Sequence, residues 1–597
     1  MPASSPAEEN HLRERLRTFH LTGRGLEDMK PKTALRPAIL DEPAQIPDLK
    51  SGYPICVASG QPSKPLAEIL GNSPDAGTIV AAFRIAMGDR PVVALADMRD
   101  AALKIASAEG CSEDAGKRIP AKGWLAGFSA EALPWLYAAA LASEREKSRA
   151  AFSRQLNNCI AGVEGLLAVD DAQASGPTFA EQLSASLGME AQTFFKPSAL
   201  ADSFNRPGQA THRMDPQRRA RCASTLAMLS AALREYNKQP LFWLFHSDPA
   251  ISGVTAFGGR CCRSTDGFTD ALELCNRQLE WLVPVLRAMR VSRLEVESAF
   301  DADVHSQLLE RFEWQTADPE ELAALPAVVV MEPVVRLAET SLTSFSRVLR
   351  SGRPIQVVAL SPGLCDEDLS GGMSPDLGYL AMAHREAFVV QTSMVQVNHL
   401  LQGLQEASRT LRPAVTVVSV PDPSESDATA WLEGSVAVFS RTAPIYRYDP
   451  DRALRQERFQ LFNPAAEFAS LTAAHAAALS KPLRHHFRII PGSAWDNEQV
   501  EVHEYLAKYE VAPPLAIPYL WITDGEGQRQ RAVFTRELVN LCRDRSRAWE
   551  TFAELTDAQL GSVQETSQTQ EQAQRLGFEQ AIQSVLAMLA DPLNLHT

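Results

Sequence analysis

VVVMEPVVRLAETSLTSFSRVLRSGRPIQVVALSPGLCDEDLSGG (residues 328–372) is the stretch that decides the fold class of this chain. Two short apolar runs rich in β-branched residues flank an amphipathic helical segment, LTSFSRVLRSG (342–352). The alternation continues through AFVVQTS (387–393), VNHLLQGLQEASRT (397–410) and AVTVVSV (414–420). Such runs between amphipathic helices are typical of a buried parallel sheet. The sequence therefore predicts an α/β fold with a mainly parallel sheet that helices cover on both faces.

The chain has 597 residues, more than one hydrophobic core usually serves, so several domains are expected. The predicted segments are a proline-rich N-terminal arm, extended or partly helical, at 1–50, a small α/β domain at 51–167, the central α/β domain at 180–475 and a C-terminal hairpin with a helical extension at 480–597. The small domain is expected to end in a long helix capped near Ser129. The stretch AVDDAQASGPT (168–178) predicts a linker.

Several local elements can also be predicted. TDGFTDALELCNRQLEWLVPVLRAMR (265–290) has helical periodicity, and Pro284 is expected to kink or split that helix. Gly258-Gly259 is interpreted as a loop. AIPYLWITDGEGQRQRAVFT (516–535) predicts a hairpin around residues 524–527. A helix, a glutamine-rich tether and a final amphipathic helix, EQAIQSVLAMLADPL (579–593), are expected to follow.

The charge and the hydropathy pattern exclude some classes of function. The net charge of −15 disfavours nucleic acid as a partner, because phosphate contacts need a basic surface. The compact basic clusters 213–222 and 484–488 are interpreted as solvated helix faces. No uncharged apolar run of about 18 residues is present, so no membrane span is expected. The polar N-terminus lacks a signal-peptide core, and a cytoplasmic location is expected.

The reactive residue types form no familiar pattern. The nine cysteines are scattered, without the spacing of an iron–sulfur or zinc site, and Cys261, Cys262 and Cys275 are interpreted as buried or incidental thiols. The consecutive His246-Ser247-Asp248 cannot converge as a catalytic triad, so a turn after a strand is preferred. His485-His486 lacks the i, i+4 spacing that places two imidazoles on one helix face.

A family resemblance rests on three ordered blocks within residues 328–463. They are the opening stretch, DLGYLAMAHREAFVVQTSMVQVNHLLQGLQEASRTLRPAVTVVSVPDP (376–423) and APIYRYDPDRALRQERFQLFNP (443–464). In order and spacing this region resembles the thiamine-diphosphate-binding domain of the pyruvate:ferredoxin (flavodoxin) oxidoreductases. The resemblance implies a sheet of the thiamine-diphosphate-enzyme type, pairing of domains as dimers, and an ancestral site for thiamine diphosphate with Mg²⁺.

The resemblance also locates the positions of the cofactor ligands. In the family, a Gly-Asp-Gly supplies the metal carboxylate, and a later loop that begins with Asp-Thr supplies a hydroxyl and a carbonyl. Matching the helix and strand between them places the Gly-Asp-Gly on Pro333-Val334-Val335 and the Asp-Thr on Ser361-Pro362. Val334 has no carboxylate, and Pro362 has neither a hydroxyl nor an amide hydrogen. Only the carbonyl of Leu364 could remain. We therefore assign no catalytic, cofactor-binding or metal-binding residue.

Other carboxylates lie near the two ligand positions in sequence. Glu332, or the acidic loop Asp366, Glu367 and Asp368, could offer carboxylates to a cation, but a solvated acidic loop before Gly371-Gly372 is preferred. Asn398 lies where the family has a polar residue near the cofactor, and a helix-surface amide is preferred for it. Ser393 is expected to cap the helix that follows. The segments 445–450 and 459–461 resemble the closing strand pair of the family.

These features favour a non-catalytic or cofactor-independent homologue of the thiamine domain, acting as a structural or regulatory subunit of a cytoplasmic redox complex. We expect no cofactor, protein subunits as partners (including an iron–sulfur protein), and a homo- or heterodimer. One alternative is an active thiamine-diphosphate-dependent 2-oxoacid oxidoreductase subunit that passes electrons to a ferredoxin or flavodoxin. Another is an interaction scaffold that binds a partner enzyme through its terminal regions.

Overall fold

The computed structural model of the chain describes residues 6–31, 35–41, 48–57, 62–112, 117–175, 185–186, 196, 214–247, 253–362, 364, 376–422, 424–463, 470–508, 516–523 and 527–556. The sequence features at Asp248, Cys365 to Asp368, Gly371-Gly372, the turn 524–526 and the final helix at 579–593 lie outside these residues.

The strands form three sheets. Their bounds are β1 Arg36–Pro37, β2 Ile55–Val57, β3 Lys64–Pro65, β4 Val92–Ala94, β5 Trp124–Ala126, β6 Phe242–His246, β7 Gly259–Arg263, β8 Ala327–Pro333, β9 Ile355–Ser361, β10 Phe388–Ser393, β11 Ala414–Ser419, β12 Tyr446–Tyr448, β13 Phe459–Leu461, β14 Phe487–Ile490, β15 Gln499–Glu501, β16 Ile517–Thr523 and β17 Arg529–Phe534. The central sheet has eight strands in the order β13-β12-β10-β11-β9-β8-β6-β7.

The helices cover the sheets and connect them. Their bounds are α1 Pro6–Thr22, α2 Leu49–Gly52, α3 Leu66–Leu70, α4 Ala76–Met87, α5 Leu95–Ala108, α6 Leu133–Ser175, α7 Pro216–Tyr236, α8 Gly267–Val296, α9 Ala302–Glu310, α10 Pro319–Leu322, α11 Val334–Arg336, α12 Leu342–Arg350, α13 Leu377–Ala383, α14 Val397–Arg409, α15 Asp427–Phe439, α16 Arg455–Arg458, α17 Ala473–Leu479, α18 Val502–Lys508 and α19 at 536–556. A π-helical turn, Leu337–Ser341, joins α11 to α12.

The central sheet confirms the predicted α/β class and its mainly parallel character. Strands β6 to β11 run parallel, and β12 and β13 add an antiparallel pair at one edge, as the sequence predicted for 445–450 and 459–461. Alternate residues of β8 point to opposite faces, so Val328 and Val330 join one core cluster while Val329 and Met331 join the other. The side chains on both faces of β8 are therefore buried from water.

Helices supply the other half of each core cluster. On one face α7, α8, α12 and α13 pack against the sheet, and on the other face the first half of α6 packs together with α14 and α15. The second half of α6 crosses to the first layer, where Phe152 and Leu156 are buried. This long helix begins after Ser129, whose side chain accepts the amide hydrogen of Glu131, so the predicted cap is confirmed.

The linker predicted at 168–178 is wrong over its first part, because α6 continues to Ser175. Two ion pairs tie this end to α7: Arg219 bonds the carboxylates of Asp170 and Asp171. The predicted split at Pro284 is also wrong, since α8 runs unbroken from Gly267 to Val296. Its buried stripe, which includes Leu279, Leu282 and Leu286, holds the helix on the sheet despite the lost amide donor.

The loop interpretation of Gly258-Gly259 is half wrong, because Gly259 begins edge strand β7. A β-carbon at Gly259 would lie 2.2 Å from the ring of Phe242, so only glycine lets this strand approach β6 closely. Gly258 has a φ of 73° and forms the turn that leads into the strand.

The cap predicted at Ser393 is wrong as well. Ser393 is the last residue of β10, and α14 begins at Val397 after Gln396. The ladder continues one step further, since the amide of Met394 donates to the carbonyl of Ser419 at 3.0 Å. This bond keeps the chain extended where a cap would have to turn it.

Two smaller sheets lie on either side in sequence. Strands β2 to β5 form an antiparallel sheet in the order β3-β2-β5-β4, and α3, α4 and α5 bury a separate core against it. Strands β14, β16 and β17, with β1 and β15, form the C-terminal sheet, and the predicted hairpin is confirmed as the antiparallel β16–β17 pair.

The N-terminal segment, predicted to be an extended or partly helical arm, contains helix α1 and packs on the C-terminal sheet. Helix α1 buries Leu16 and Phe19 on the C-terminal sheet, against Ile517 and Val533, and β1 pairs with β16. The apolar side chains of α1 thus find their partner within the same chain.

The two basic clusters are not simply solvated. In 213–222, Arg218 and Arg221 both bond the carboxylate of Glu295, which is 1% exposed. In 484–488, Arg488 is 2% exposed, donates to the carbonyl of Leu26 and lies over the ring of Phe19. Internal acids and carbonyls therefore satisfy these cations. Among the described helices, none is long and apolar enough for a bilayer crossing.

A buried hydrogen-bond network joins strand β9 to helices α6 and α14, which cover the same face of the sheet. Gln356, in the middle of β9, is fully buried; its amide oxygen accepts the hydroxyl of Tyr137 on α6 and its amide group donates to the carbonyl of Ala407 on α14 at 3.0 Å. Removing the hydroxyl of Tyr137 would leave the amide oxygen of Gln356 without this donor, and removing the amide of Gln356 would leave both the Tyr137 hydroxyl and the Ala407 carbonyl without this partner.

Replacing Tyr137 by phenylalanine should destabilise the protein by about 1–3 kcal/mol, because the amide oxygen of Gln356 is left buried without a donor. Urea unfolding followed by circular dichroism measures the loss. Tyr379→Phe is the matched control, since Tyr379 is 45% exposed. An equal, negligible change in both variants would contradict a stabilising role for this hydrogen bond.

Candidate functional site

The carboxyl edge of the central sheet is where an open α/β fold places its ligands. Strand β6 has β7 on one side and β8 on the other, so the connections after β6 and β8 leave in opposite directions. The point between them is a topological switch point. The residues that follow the strands along this edge are Ser247 after β6, Val334 after β8, Pro362 after β9, Met394 after β10 and Val420 after β11.

Both positions predicted for lost cofactor ligands lie on this edge. Val334 follows β8 at the start of α11, is 6% exposed and belongs to the core cluster under α8. Pro362 follows β9, and the side chain of Leu364 beyond it is 8% exposed in a cluster with Val436 and Ala437. Aliphatic side chains are therefore packed into the protein at these positions.

The carboxylate nearest to them, Glu332, is held by protein groups. It is 4% exposed at the end of β8, and it accepts a hydrogen bond from the hydroxyl of Ser247 at the end of β6. The guanidinium Nε of Arg336 lies 3.7 Å from the same carboxylate oxygen. Glu332 thus closes the switch point with an internal ion pair.

The described residues do not fit a magnesium diphosphate. Mg²⁺ requires oxygen ligands in near-octahedral geometry, and Val334 and Pro362 offer no side-chain oxygen. The guanidinium of Arg336 lies beside the carboxylate of Glu332 and would compete with a cation for it. Over the part of the chain that the structure describes, no three His, Cys, Asp or Glu side chains converge as a metal-binding group.

Two small cavities lie farther along the edge, at the ends of β9, β11 and β10. One has a volume of about 30 Å³ and is bounded by Leu364, Ser393 and Glu433 among others. The other, about 100 Å³, is bounded by Ser361, Gln391 and Arg545 among others. Sites for cofactor-sized ligands measure roughly 300–1,000 Å³. These two cavities therefore suit water or a small ion.

The register of the strands brings three serines to this edge. Ser361 of β9 pairs with Ser419 of β11, which pairs in turn with Ser393 of β10. Because the three residues share a register row of parallel strands, their side chains point to the same face of the sheet. Hydroxyl groups, rather than carboxylates, define the polar character of this row.

Glu433 is a buried carboxyl group on α15 that the sequence did not single out. It is 8% exposed and borders the smaller cavity. Burial raises the pKa of Glu433 to about 7, and the nearby carboxylates of Asp422 and Glu425 act in the same direction. Ser480 and Arg484 oppose this rise, and Arg484 is itself paired with Glu425 at 2.6 Å.

Asp376 is a second carboxyl group with an altered environment. Burial raises its pKa, its Oδ1 accepts the amide hydrogen of Tyr379 at 2.9 Å, and the Tyr446 hydroxyl lies 3.4 Å from the same oxygen. Gly378 makes this arrangement possible, because a β-carbon there would lie 2.1 Å from the Tyr446 oxygen and 2.8 Å from the amide oxygen of Gln391. The edge therefore carries two carboxyl groups that hold protons more tightly than usual.

The other residues considered from the sequence lie apart from one another. Asn398 is exposed on α14, as predicted. His246 is buried at the end of β6 on the opposite face from Ser247, so the two do not converge, and its Nδ1 has no hydrogen-bond partner among the described residues. His486 is buried, which lowers its pKa to about 4. Cys275 is buried, whereas Cys261 and Cys262 are half-buried on β7.

No protein-family model matches the chain, and no curated protein matches it significantly.

The buried state of Glu433 predicts a pH-dependent stability. A raised folded-state pKa means that the folded protein binds this proton more tightly than the unfolded chain, so its contribution is complete below about pH 4.5 and is lost as the pH rises through about 7. The loss should reach about 3 kcal/mol. Glu433→Gln should lack it and become more stable than wild type between pH 5 and pH 8.

Urea unfolding at each pH measures the difference between the two proteins. Glu146→Gln, at an exposed position on α6, is the matched control and should retain the wild-type profile. Parallel pH profiles for Glu433→Gln and wild type would contradict the assignment.

Proposed function

We propose that this chain is a non-catalytic, cofactor-independent homologue of the thiamine-diphosphate-binding domain of 2-oxoacid:ferredoxin oxidoreductases. Its role is that of a structural or regulatory subunit in a cytoplasmic redox complex. The observation that carries the proposal is the pair Val334 and Pro362, which stand where the resemblance expects side-chain ligands of the metal and offer no oxygen, with Val334 packed in the core.

The arrangement of elements supports the same ancestry. The resemblance expects a strand, a ligand position, a helix, a second strand and a second ligand position. The chain has β8, Val334, a helical segment through α12, then β9 and Pro362, with β8 and β9 adjacent and parallel. The two positions therefore neighbour each other at one edge, where a single ligand would have touched both.

The residues that carry the resemblance are mainly core residues. Val328, Val330, Phe345, Val357 and Ala359 are all buried between the sheet and its helical cover. A protein that kept this packing without the reaction would retain the shape and the outer surface of the domain. Surface and shape are what a structural subunit contributes to an assembly.

The proposal gives the chain protein partners. In the family such domains pair as dimers, so a homo- or heterodimer is part of the proposal, and any iron–sulfur cluster of the complex lies on a partner chain. The nearest cysteines in sequence, Cys261 and Cys262, point to opposite faces of edge strand β7. They cannot act as two ligands of one metal from that strand.

Isothermal titration calorimetry of the full chain with thiamine diphosphate and Mg²⁺ tests the proposal. We expect no saturable binding up to about 1 mM cofactor, since an affinity weaker than this corresponds to less than about 4 kcal/mol. A thiamine-diphosphate enzyme titrated in the same buffer is the positive control. A micromolar dissociation constant would overturn the proposal in favour of the active alternative.

A second measurement separates the alternatives by activity. An active subunit supplied with pyruvate, coenzyme A, thiamine diphosphate and Mg²⁺ would reduce a viologen dye, because oxidative decarboxylation releases electrons. The proposed subunit should leave the dye oxidised at every protein concentration tried. Dye reduction that depends on both pyruvate and thiamine diphosphate would refute the non-catalytic role.

A further inference from the structure

A groove on the outside of the helical layer, away from the carboxyl edge, is lined by three arginines. It has a volume of about 760 Å³ and runs between α8, α12 and α13. Leu272, Leu342 and Leu380 supply its apolar surface. Its lining includes Arg347 and Arg350 of α12 and Arg353 just beyond that helix, and none of the described residues that line it is acidic.

These arginines have no acidic partner among the described residues. Neither Arg347, Arg350 nor Arg353 lies within ion-pair distance of a carboxylate, whereas the arginines of the cluster 213–222 are paired. The contrast is notable in a chain with a net charge of −15. The carboxyl end of α12 accounts for only about half a unit of negative charge. Three guanidinium groups exceed what that helix end can stabilise.

The position of Arg353 is defined by its neighbours. Its guanidinium lies 5.9 Å from the ring centre of Trp314 and donates to the carbonyl of Ser351 at 3.3 Å. Its Nε is buried without a hydrogen-bond partner in the described structure. Ser346 of α12 and His384, which follows α13, lie 3.3 Å apart in a hydrogen bond that joins the two helices. The rim is therefore partly preorganised for a ligand.

Arg353 also borders a second groove, of about 490 Å³, that continues along α8. This groove is different in character: Phe312 and Trp314 supply aromatic surface, and Glu280 and Glu313 balance the cations. A ligand that spans both grooves would place negative charge in the first and a neutral planar body in the second.

We propose that the two grooves together bind a phosphorylated small molecule of the nucleotide class. Its phosphate groups lie at Arg347, Arg350 and Arg353, since guanidinium groups and hydroxyls are strong partners for phosphate oxygens. Its planar ring lies against Trp314. Each groove by itself, at about 760 and 490 Å³, is of the size of a ligand pocket, roughly 300–1,000 Å³. This assignment is independent of the proposed loss of the thiamine site, which lies at the sheet edge.

Titration calorimetry with ATP and with inorganic tripolyphosphate, in magnesium-free buffer, tests the assignment. We expect ATP to bind with one-to-one stoichiometry and more tightly than tripolyphosphate. Arg347→Ala and Arg350→Ala should each weaken both ligands by about tenfold, as expected for the loss of one charge-assisted contact. Trp314→Ala should weaken ATP alone.

Arg154→Ala, at an exposed arginine on α6, is the matched control and should bind like wild type. Circular dichroism verifies that each variant folds, which is expected because Arg347 and Arg350 are exposed. Absence of binding by both ligands at about 1 mM, or binding that the arginine variants leave unchanged, would overturn the site. Equal binding of ATP and tripolyphosphate, unchanged by Trp314→Ala, would overturn the nucleotide class.

Discussion

The hydrogen-bonded ladder through β6, β8, β9, β11 and β10 is the constraint on which the central domain depends. Because these strands are parallel, each connection must cross a face of the sheet, and both faces become covered by helices. Most side chains of the inner strands are then buried, including the polar Gln356 of β9. That residue is tolerated because Tyr137 and Ala407 satisfy its amide from the two helices that cover it.

The same ladder brings distant residues to one edge. Ser247 and Glu332 are 85 residues apart in sequence, yet they bond each other because β6 and β8 are neighbours. Ser361, Ser393 and Ser419 form one register row for the same reason. At this edge the hydroxyl of Ser247 donates a hydrogen bond to the carboxylate of Glu332. The aliphatic side chains of Val334 and Leu364 pack into the neighbouring core clusters.

Features that depend on residues close together in sequence could be predicted, whereas features that depend on residues far apart in sequence could not. The apolar runs at 327–333 and 355–361 are local, so strands β8 and β9, the helix between them and the hairpin β16–β17 could be predicted from periodicity. Strand β7 could not, because GRCCR has no such pattern and is extended only through its pairing with β6. The helix cap predicted at Ser393 was wrong, because the amide of Met394 donates to the carbonyl of Ser419 and continues the pairing of β10 with β11. The N-terminal helix had no predictable docking surface, since its partner, the C-terminal sheet, lies hundreds of residues away in sequence.

The sequence by itself determined the α/β class and the mainly parallel sheet, because composition and periodicity are properties of short segments. Only the tertiary structure decided which polar groups meet and which charges remain unpaired. Burial raised the pKa of Glu433, and packing placed Arg347, Arg350 and Arg353 along one groove where no described residue is acidic. Electrostatic environment depends on distance in space and on exclusion of water, and neither quantity is written in the order of residues.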